Sequence, residues 1–209
     1  SCLLGNIYIV GLNQLEDIEI DRINKPDLPL AAGEFSPATG KWIVAVTGIL
    51  ALVLAGYLGI GLLVTVGVSL LIGTAYSLPP IRLKKFPLLA AFCILTVRGM
   101  VVNLGLFTHF NLFFQGQQIF PASVWTITLF IVIFTIAIAI FKDVPDLEGD
   151  RKYNINTFTI LLGKSAIFNF SRWLITACYL GTIVASIFYL PQVNLWFLIL
   201  SHLGLLALL

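Results

Sequence analysis

The chain has 209 residues, of which 59% are hydrophobic and 11% charged, and its net charge is +2. Soluble domains carry roughly 25% charged residues, so this composition excludes an ordinary soluble domain and indicates a polytopic membrane protein, an all-α helix bundle in a lipid bilayer. We expect no nucleic-acid partner, and the sequence indicates no particular protein partner. The three cysteines lie far apart in apolar runs, which predicts packing roles rather than disulfides or metal ligands.

Charge-free apolar runs divide the chain into membrane-spanning segments. The first run is partial, and the forty residues between Lys41 and Arg82 are long enough to cross a hydrocarbon core of about 30 Å twice, with a turn near residues 56–61. Further spans are predicted at residues 88–108, 122–141, 166–188 and from 194 to the end. The sequence therefore predicts seven helices, two of them truncated, in a single domain over residues 1–209 that we expect to be cut at both termini from a longer protein.

The charged residues sort onto one face of this bundle. Alternating spans place residues 16–41, 79–87 and 142–164 on one face, and the turns at 56–61, 108–121 and 189–194 on the other. Every Asp and Glu, and eleven of the twelve Lys and Arg, fall in the loops of the first face or at their edges, and Arg98 is the exception. Because Lys and Arg stay on the untranslocated side, this charged face should be cytoplasmic, or stromal in a plastid.

The first acidic motif at that face is "NQLEDIEID", residues 13–21. It begins a stretch, residues 13–35, that holds six of the ten acidic residues of the chain. Asn13, Asp17 and Asp21 are spaced four and four, so on a continued helix they lie within about 80° of one another and form one polar stripe.

The second acidic motif is "KDVPDLEGD", residues 142–150. Asp143, Asp146 and Asp150 are spaced three and four, which places them within about 60° by the same helical arithmetic. Two such stripes repel each other unless a cation lies between them, and hard carboxylate oxygens suit Mg²⁺, which in turn binds phosphate oxygens.

A third segment of the same face, "AYSLPPIRLKKF" at residues 75–86, supplies Tyr76 and the cations Arg82, Lys84 and Lys85 for phosphate oxygens. Together the three segments predict a Mg²⁺-diphosphate site at the membrane surface. The alternative is that these charges are only solvated loop residues, which two registered Asp stripes with a basic loop between them disfavour.

These residues carry a resemblance to a known family. "NQLEDIEID" and "KDVPDLEGD" resemble the NxxxDxxxD motif and the second Asp motif of the UbiA superfamily of intramembrane aromatic prenyltransferases. With "LIGTAYSLPPIRLKKF" and "CILTVRGMVVNLGLF", they are similar to the cyanobacterial branch that prenylates homogentisate in tocopherol synthesis. Members of the superfamily have nine transmembrane helices, so the chain would correspond to helices two to eight.

The resemblance implies Mg²⁺-dependent transfer of a prenyl group, phytyl being favoured, from a prenyl diphosphate to homogentisate with loss of CO₂. Alternatives within the family are geranylgeranyl or solanesyl donors or another aromatic acceptor, as in the synthesis of plastoquinone-type quinones. The resemblance also implies that the protein lies in the plasma or thylakoid membrane of a cyanobacterium. The implied catalytic residues and Mg²⁺ ligands are Asp17, Asp21, Asp143, Asp146 and Asp150, and the implied substrate-binding residues are Asn13, Arg22, Tyr76, Arg82, Lys84, Lys85 and Arg98.

Arg98 lies near the middle of its span, where a charge is costly unless it is paired or hydrated. We predict that it binds the acceptor rather than the diphosphate, and the alternative is a structural residue that caps carbonyl groups between helices. Asn103 is five residues further on, about 140° around an α-helix, and need not share that site.

A different functional class, a secondary transporter, would also be polytopic. Its sites are expected near the membrane midplane on broken helices. Here the ionisable residues gather at one face and only Arg98 lies deep, which favours the enzyme.

Overall fold

The computed structural model describes residues 1–116, 119–153, 155–190 and 193–209, and within these ranges it contains α-helices and no strand. Residues 95–101 of the fifth helix are π-helical, and Leu83–Lys85 form a short 3₁₀ turn. The helices are α1 (Cys2–Glu16), α2 (Ile18–Asn24), α3 (Pro37–Leu58), α4 (Ile60–Ser77), α5 (Pro87–Gln115), α6 (Ala122–Phe141), α7 (Leu147–Lys152), α8 (Phe158–Leu162), α9 (Lys164–Tyr189) and α10 (Leu195–Ala207).

Local signals in the sequence set several helix ends. The Ser36 hydroxyl accepts a hydrogen bond from the Thr39 amide at 3.1 Å, and Pro37 occupies the first turn, so α3 starts there. Gly59, with φ of 137°, separates α3 from α4 in a conformation that a residue with a Cβ rarely adopts. The turn lies within the segment 56–61 that the sequence predicts.

The all-α membrane bundle is confirmed. Among the described residues, α3, α4, α5, α6 and α9 are long and apolar enough to cross a membrane. The shorter helices α1 and α10 correspond to the two partial runs, which gives the seven helices predicted. Three further short helices, α2, α7 and α8, lie in the charged loops and were not predicted.

Two details differ from the prediction. The span expected at 88–108 continues as α5 to Gln115, since aromatic side chains extend the apolar face until Gly116 ends the helix with φ of 65°. Arg98 is also not the only cation inside a span. Arg172 lies eight residues after the start of α9, about 12 Å along its axis, and its exposed side chain is long enough to reach back toward the surface.

Small residues allow the helices to approach closely. Ala51 and Ala55 of α3 are fully buried and pack with Leu62, Val66 and Leu70 of α4. A Cβ on Gly48 would lie 2.6 Å from the Tyr8 ring, so α1 and α3 meet where no side chain intervenes. Large apolar side chains such as Trp42 point outward, 72% exposed, as expected for a surface that faces lipid.

Candidate active site

The first acidic motif lies where α1 gives way to α2. The helix is interrupted at Asp17, whose φ of −118° and ψ of 15° leave the α-helical region, and α2 begins at Ile18. The prediction that Asn13, Asp17 and Asp21 share one continuous helical stripe is therefore wrong. The interruption lets Asp17 face cations of another loop while all three side chains still line one cavity. Asp17 and Asp21 are buried.

The second acidic motif is also not a single helix. After α6 ends at Phe141, the chain turns, and α7 begins at Leu147. Pro145 has no backbone N–H and disfavours a helical conformation in the residue before it, so α6 cannot continue through the motif. The predicted helical arc for Asp143, Asp146 and Asp150 is wrong for this reason, although the turn brings all three to the same cavity.

The two motifs are joined directly. The Asn24 side-chain oxygen accepts a hydrogen bond of 2.8 Å from the Gly149 amide, and Lys25 Nζ lies 2.6 Å from Asp146 Oδ2. A Cβ at position 149 would lie 2.4 Å from that Asn24 oxygen. Glycine is therefore required at the point where α2 meets α7.

The basic loop closes the site from a third direction. Lys84 is buried and forms an ion pair with Asp17, and Arg82 Nη2 lies 2.8 Å from the other oxygen of the same carboxylate. Arg82 has φ of 38°, a left-handed conformation uncommon for a residue with a side chain. The turn that carries both cations is thus bound to the first acidic motif.

These elements enclose a cavity of about 770 Å³. Its charged and hydrogen-bonding lining includes Asn13, Asp17, Asp21, Lys25, Tyr76, Lys84, Arg98, Lys142, Asp143, Asp146 and Asp150. The remaining wall is largely apolar and includes Ile9, about two turns before Asp17 on α1, and Ile94, about two turns into α5. The cavity therefore has a charged end near the membrane surface and an apolar part that continues inward.

Nine of the twelve site residues predicted from the sequence line this cavity, and Arg82 contacts it through Asp17. Two do not reach it. Arg22 is exposed and pairs with Glu19 at 2.7 Å, three residues earlier on the same helix. Lys85 is exposed because adjacent residues of a 3₁₀ turn point in different directions, and its neighbour Lys84 takes the inward position. The structure therefore does not bring Arg22 and Lys85 to the cavity.

Two cations of the site were missed from the sequence. Lys25 pairs with Asp146, and Lys142 pairs with Asp143 and lies against Tyr76. Lys142 is the first residue of the second motif and Lys25 follows Asp21 by four residues, so their positions were visible. Their ion-pair partners could not be predicted from the sequence, because the pairing depends on how the loops meet.

Burial sets the electrostatics of the carboxylates. Burial, and then the charge of Asp17, raise the pKa of Asp21 to about 6. Burial, and then the charge of Asp143, raise the pKa of Asp150 to about 7. Burial also raises the pKa of Asp143 and lowers the pKa of the Lys84 ammonium. Raised carboxylate pKa values mean that an added positive charge stabilises this end of the cavity.

The residues at the charged end suit a divalent cation, although their side chains are not arranged as a complete set of metal ligands. Within the described parts of the chain, no three Asp, Glu, His or Cys side chains are grouped closely enough to hold an ion. Lysine and arginine side chains hold several of the carboxylates instead. Asp146 Oδ1 is buried without a hydrogen-bond partner. An orphaned carboxylate oxygen beside carboxyl groups of raised pKa suits an ion that brings ligand oxygens with it.

The long apolar helices around a cavity with one charged end define an integral membrane protein. The sequence matches the UbiA prenyltransferase family over residues 1–209, and the chain belongs to that family. The resemblance found in the two acidic motifs is thereby confirmed.

Two relatives and one solved structure extend this result. The chain is 57% identical to homogentisate phytyltransferase of Synechocystis sp. over 209 residues, which cover 100% of this chain and 68% of that protein. It is 41% identical to the chloroplastic homogentisate solanesyltransferase of Arabidopsis thaliana, over 92% of this chain and 50% of that protein. The structure of a UbiA homolog from Archaeoglobus fulgidus bound to GPP and Mg²⁺ matches with a TM-score of 0.67 at 18% identity, covering 99% of this chain and 74% of that one. This last likeness shows the fold.

Proposed function

We propose that the protein transfers a prenyl group, preferentially phytyl, from a prenyl diphosphate to homogentisate with loss of CO₂, as a step of tocopherol biosynthesis. The observation that carries the proposal is the convergence of two acidic motifs and three lysines on one cavity whose wall continues as apolar surface. A prenyl diphosphate has the same two parts, an anionic head and an apolar tail. The Synechocystis relative, named for phytyl transfer to homogentisate, supports the choice of substrates.

The charged end would bind the diphosphate together with Mg²⁺, held by Asp17, Asp21, Asp143, Asp146 and Asp150. Bound there, Mg²⁺ would supply positive charge that offsets the charge developing on the departing diphosphate. Mg²⁺ is present in the Archaeoglobus structure.

The lysines are placed to bind the non-bridging oxygens of the same group. Lys25, Lys84 and Lys142 each already contact a carboxylate at the cavity, so a small movement of a flexible ammonium group reaches an adjacent phosphate oxygen. Their positive charge stabilises the diphosphate as the bond between its oxygen and the first prenyl carbon breaks.

The apolar wall would enclose the prenyl chain and keep water from the allylic carbon. That carbon accepts an electron pair from the acceptor ring as the carbon–oxygen bond breaks, and the pair of that bond leaves with the diphosphate. The substituted ring carbon then loses its proton, and the acceptor carboxylate is released as CO₂. The side-chain carbon keeps the electron pair of the broken bond and takes up a proton, which leaves a methyl group. Arg98, eleven residues into α5 and about 16 Å along its axis, is the deep cation proposed to bind that carboxylate before it is released.

The decisive assay combines membranes containing the protein with Mg²⁺, phytyl diphosphate and radiolabelled homogentisate. Wild type should form a prenylated, decarboxylated product, and Asp17→Asn and Asp146→Asn should abolish it. The matched controls are Glu19→Gln and Glu148→Gln, which change exposed carboxylates of the same two motifs and should retain activity. Full activity in both Asp variants would contradict the diphosphate site, and solute uptake without any product would support the transporter.

A donor panel addresses the alternative donors. The solanesyltransferase relative is 41% identical, so the same charged end is compatible with a longer tail. Phytyl diphosphate should give a higher kcat/KM than geranylgeranyl or solanesyl diphosphate with homogentisate as acceptor. A higher value for solanesyl diphosphate would assign the protein to quinone synthesis instead.

The charged end is proposed to face the cytoplasm in a cyanobacterial plasma or thylakoid membrane. Its support is the bias of Lys and Arg toward loops of one face. In a Cys2→Ser background, in which Cys93 and Cys178 are buried, Asp27→Cys and Gln115→Cys place single exposed thiols at the two ends. An impermeant maleimide should label them from opposite sides of sealed, oriented vesicles. Labelling from the same side would contradict the topology.

A further inference from the structure

A π-helical turn interrupts α5 about a third of the way along its length. Residues 95–101 are π-helical, between regular α-helical segments. The Val102 amide donates to the carbonyl of Val97, five residues back, rather than to the carbonyl of Arg98, four residues back. The Arg98 carbonyl thereby loses the donor that an α-helix would supply.

Asn103 provides the missing donor. Its side-chain Nδ2 donates to the Arg98 carbonyl and to the Gly99 carbonyl, each at 2.9 Å. The expectation that Asn103 and Arg98 need not share a site assumed an α-helix, in which five residues subtend about 140°. A π turn instead brings together residues five apart, as its i→i+5 hydrogen bonds require, and the Asn103 amide reaches the backbone of Arg98 itself.

The π turn also determines which side chains face the cavity. Cys93 and Arg98 both line it, and so do Val97 and Val102, each pair being five residues apart. On a regular α-helix the members of such pairs lie about 140° apart, whereas a π turn brings them closer together on one side of the helix. On the opposite side the turn lies against α6, because a Cβ on Gly99 would be 2.9 Å from Val132 Cγ2. The turn therefore directs Arg98 into the cavity wall.

The Arg98 guanidinium has no ion-pair or hydrogen-bond partner within the described parts of the chain. A guanidinium at this depth of a membrane protein is costly unless an anion or water satisfies its donors. Its planar donor fork matches a carboxylate in two parallel hydrogen bonds. The cavity thus presents an unused carboxylate-binding group below its charged end.

We propose, on the basis of the function proposed above, that Asn103 is a positioning residue that determines the preference for acceptors bearing a carboxylate. Its amide holds the π turn, and the π turn holds the Arg98 guanidinium where the carboxylate of an aromatic acid binds. Asn103 itself does not touch the acceptor.

The test is equilibrium binding of homogentisate and of its methyl ester to the purified protein, with phytyl diphosphate binding measured in parallel. Asn103→Leu removes both donors at similar side-chain size and should weaken homogentisate binding about tenfold, as for loss of one charge-assisted interaction. Binding of the ester and of phytyl diphosphate should stay within about twofold of wild type, so the preference for the acid is lost. Asn103→Gln, which keeps the amide, should recover part of that preference.

The matched control is Thr108→Val. The Thr108 hydroxyl donates to the Leu104 carbonyl at 2.7 Å in the regular part of the same helix, so its removal should leave the acid preference unchanged. An acid preference in Asn103→Leu equal to that of wild type would overturn the proposal. If Asn103→Leu also loses diphosphate binding, the acid preference is measured instead in the milder variant Asn103→Ser and in Arg98→Gln. Arg98→Gln should abolish the preference and Asn103→Ser should reduce it, and a wild-type preference in either variant overturns the proposal.

Because binding is measured without turnover, the two proposals fail separately. Preferential binding of homogentisate that depends on Asn103, without any prenylated product, contradicts the proposed function and leaves the role of Asn103 in place. Product formation with an unchanged acid preference in the Asn103 variants contradicts only the role of Asn103.

Discussion

The two acidic motifs neutralise their carboxylates from different sources. In the first motif, Asp17 is bound by Arg82 and Lys84, which come from a loop 65 and 67 residues further along the chain. In the second motif, the cation for Asp143 is its own neighbour, Lys142. The first motif therefore depends on a distant loop for its local charge balance, and the second carries part of that balance in its own sequence.

The two motifs are alike in that the last aspartate of each forms no ion pair within the described residues. Asp21 closes the first and Asp150 the second, and within the described residues neither carboxylate forms an ion pair. The pKa is raised to about 6 for Asp21 and to about 7 for Asp150, in both cases first by burial. The paired aspartates thus also join the loops to one another, whereas Asp21 and Asp150 have no ion-pair partner in the described protein and depend most on a cation that arrives with the ligand.

The largest expected effect distinguishes the unpaired carboxylates from the paired ones when each is removed separately. Asp150→Asn and Asp21→Asn should weaken Mg²⁺ binding in the presence of a prenyl diphosphate by on the order of a hundredfold. Asp143→Asn should weaken it less, because Lys142 already offsets that charge. Titration calorimetry with Mg²⁺ measures all three. Equal losses would show that pairing within the protein does not divide the carboxylates by role.

The sequence predicts that the two acidic motifs converge better than it predicts the local conformation of each motif. Charge-free stretches set the number of spans, and the alternation of spans placed both acidic motifs at one end of the bundle, so the convergence of the aspartates was predictable. The interruption at Asp17 was not, because its cations come from a loop 65 residues away. Pro145 did signal the break in the second motif, and the helical arithmetic overlooked it.

The deeper part of the cavity was less predictable than its charged end. The π turn has no signature in the apolar sequence around it, since it depends on an Asn103 side chain bonding to carbonyls five and four residues back and on contact between Gly99 and α6. The depth of Arg98 was readable from its position in the span. The direction in which its side chain points could not be predicted, because that direction depends on the π turn.

The two lysine–aspartate pairs should differ in how much they stabilise the folded protein. Lys84 is buried against Asp17, so Lys84→Met leaves a buried carboxylate with only Arg82 and should lower the free energy of unfolding by about 2 to 3 kcal/mol. Lys25 pairs with Asp146 with 46% of its own side chain exposed, and Lys25→Met should cost less than about 1 kcal/mol. Thermal unfolding in detergent ranks the two variants. A larger loss for Lys25→Met would mean that the contact between motifs, rather than the buried pair, stabilises this end of the bundle.

The smallest expected change in Mg²⁺ affinity comes from pH, through the two unpaired aspartates. Their folded pKa values, about 6 and about 7, lie above the ordinary value of 3.8, so in the Mg²⁺-free protein the folded state holds more protons than the unfolded state across that window. Stability without Mg²⁺ should therefore fall as pH rises from 4 to 8, as far as these groups determine it. Mg²⁺ requires the ionised carboxylates, so its apparent affinity should change in the opposite sense and increase about tenfold from pH 6 to pH 8. The melting temperature measured with and without Mg²⁺ across this range tests both signs.

Asp150→Asn is the informative variant, because it should flatten the Mg²⁺-free dependence of melting temperature on pH above pH 6. Glu148→Gln changes an exposed carboxylate two residues earlier and should leave that dependence unchanged. A profile as steep in Asp150→Asn as in wild type would assign the pH dependence to other groups and remove the distinction between paired and unpaired carboxylates.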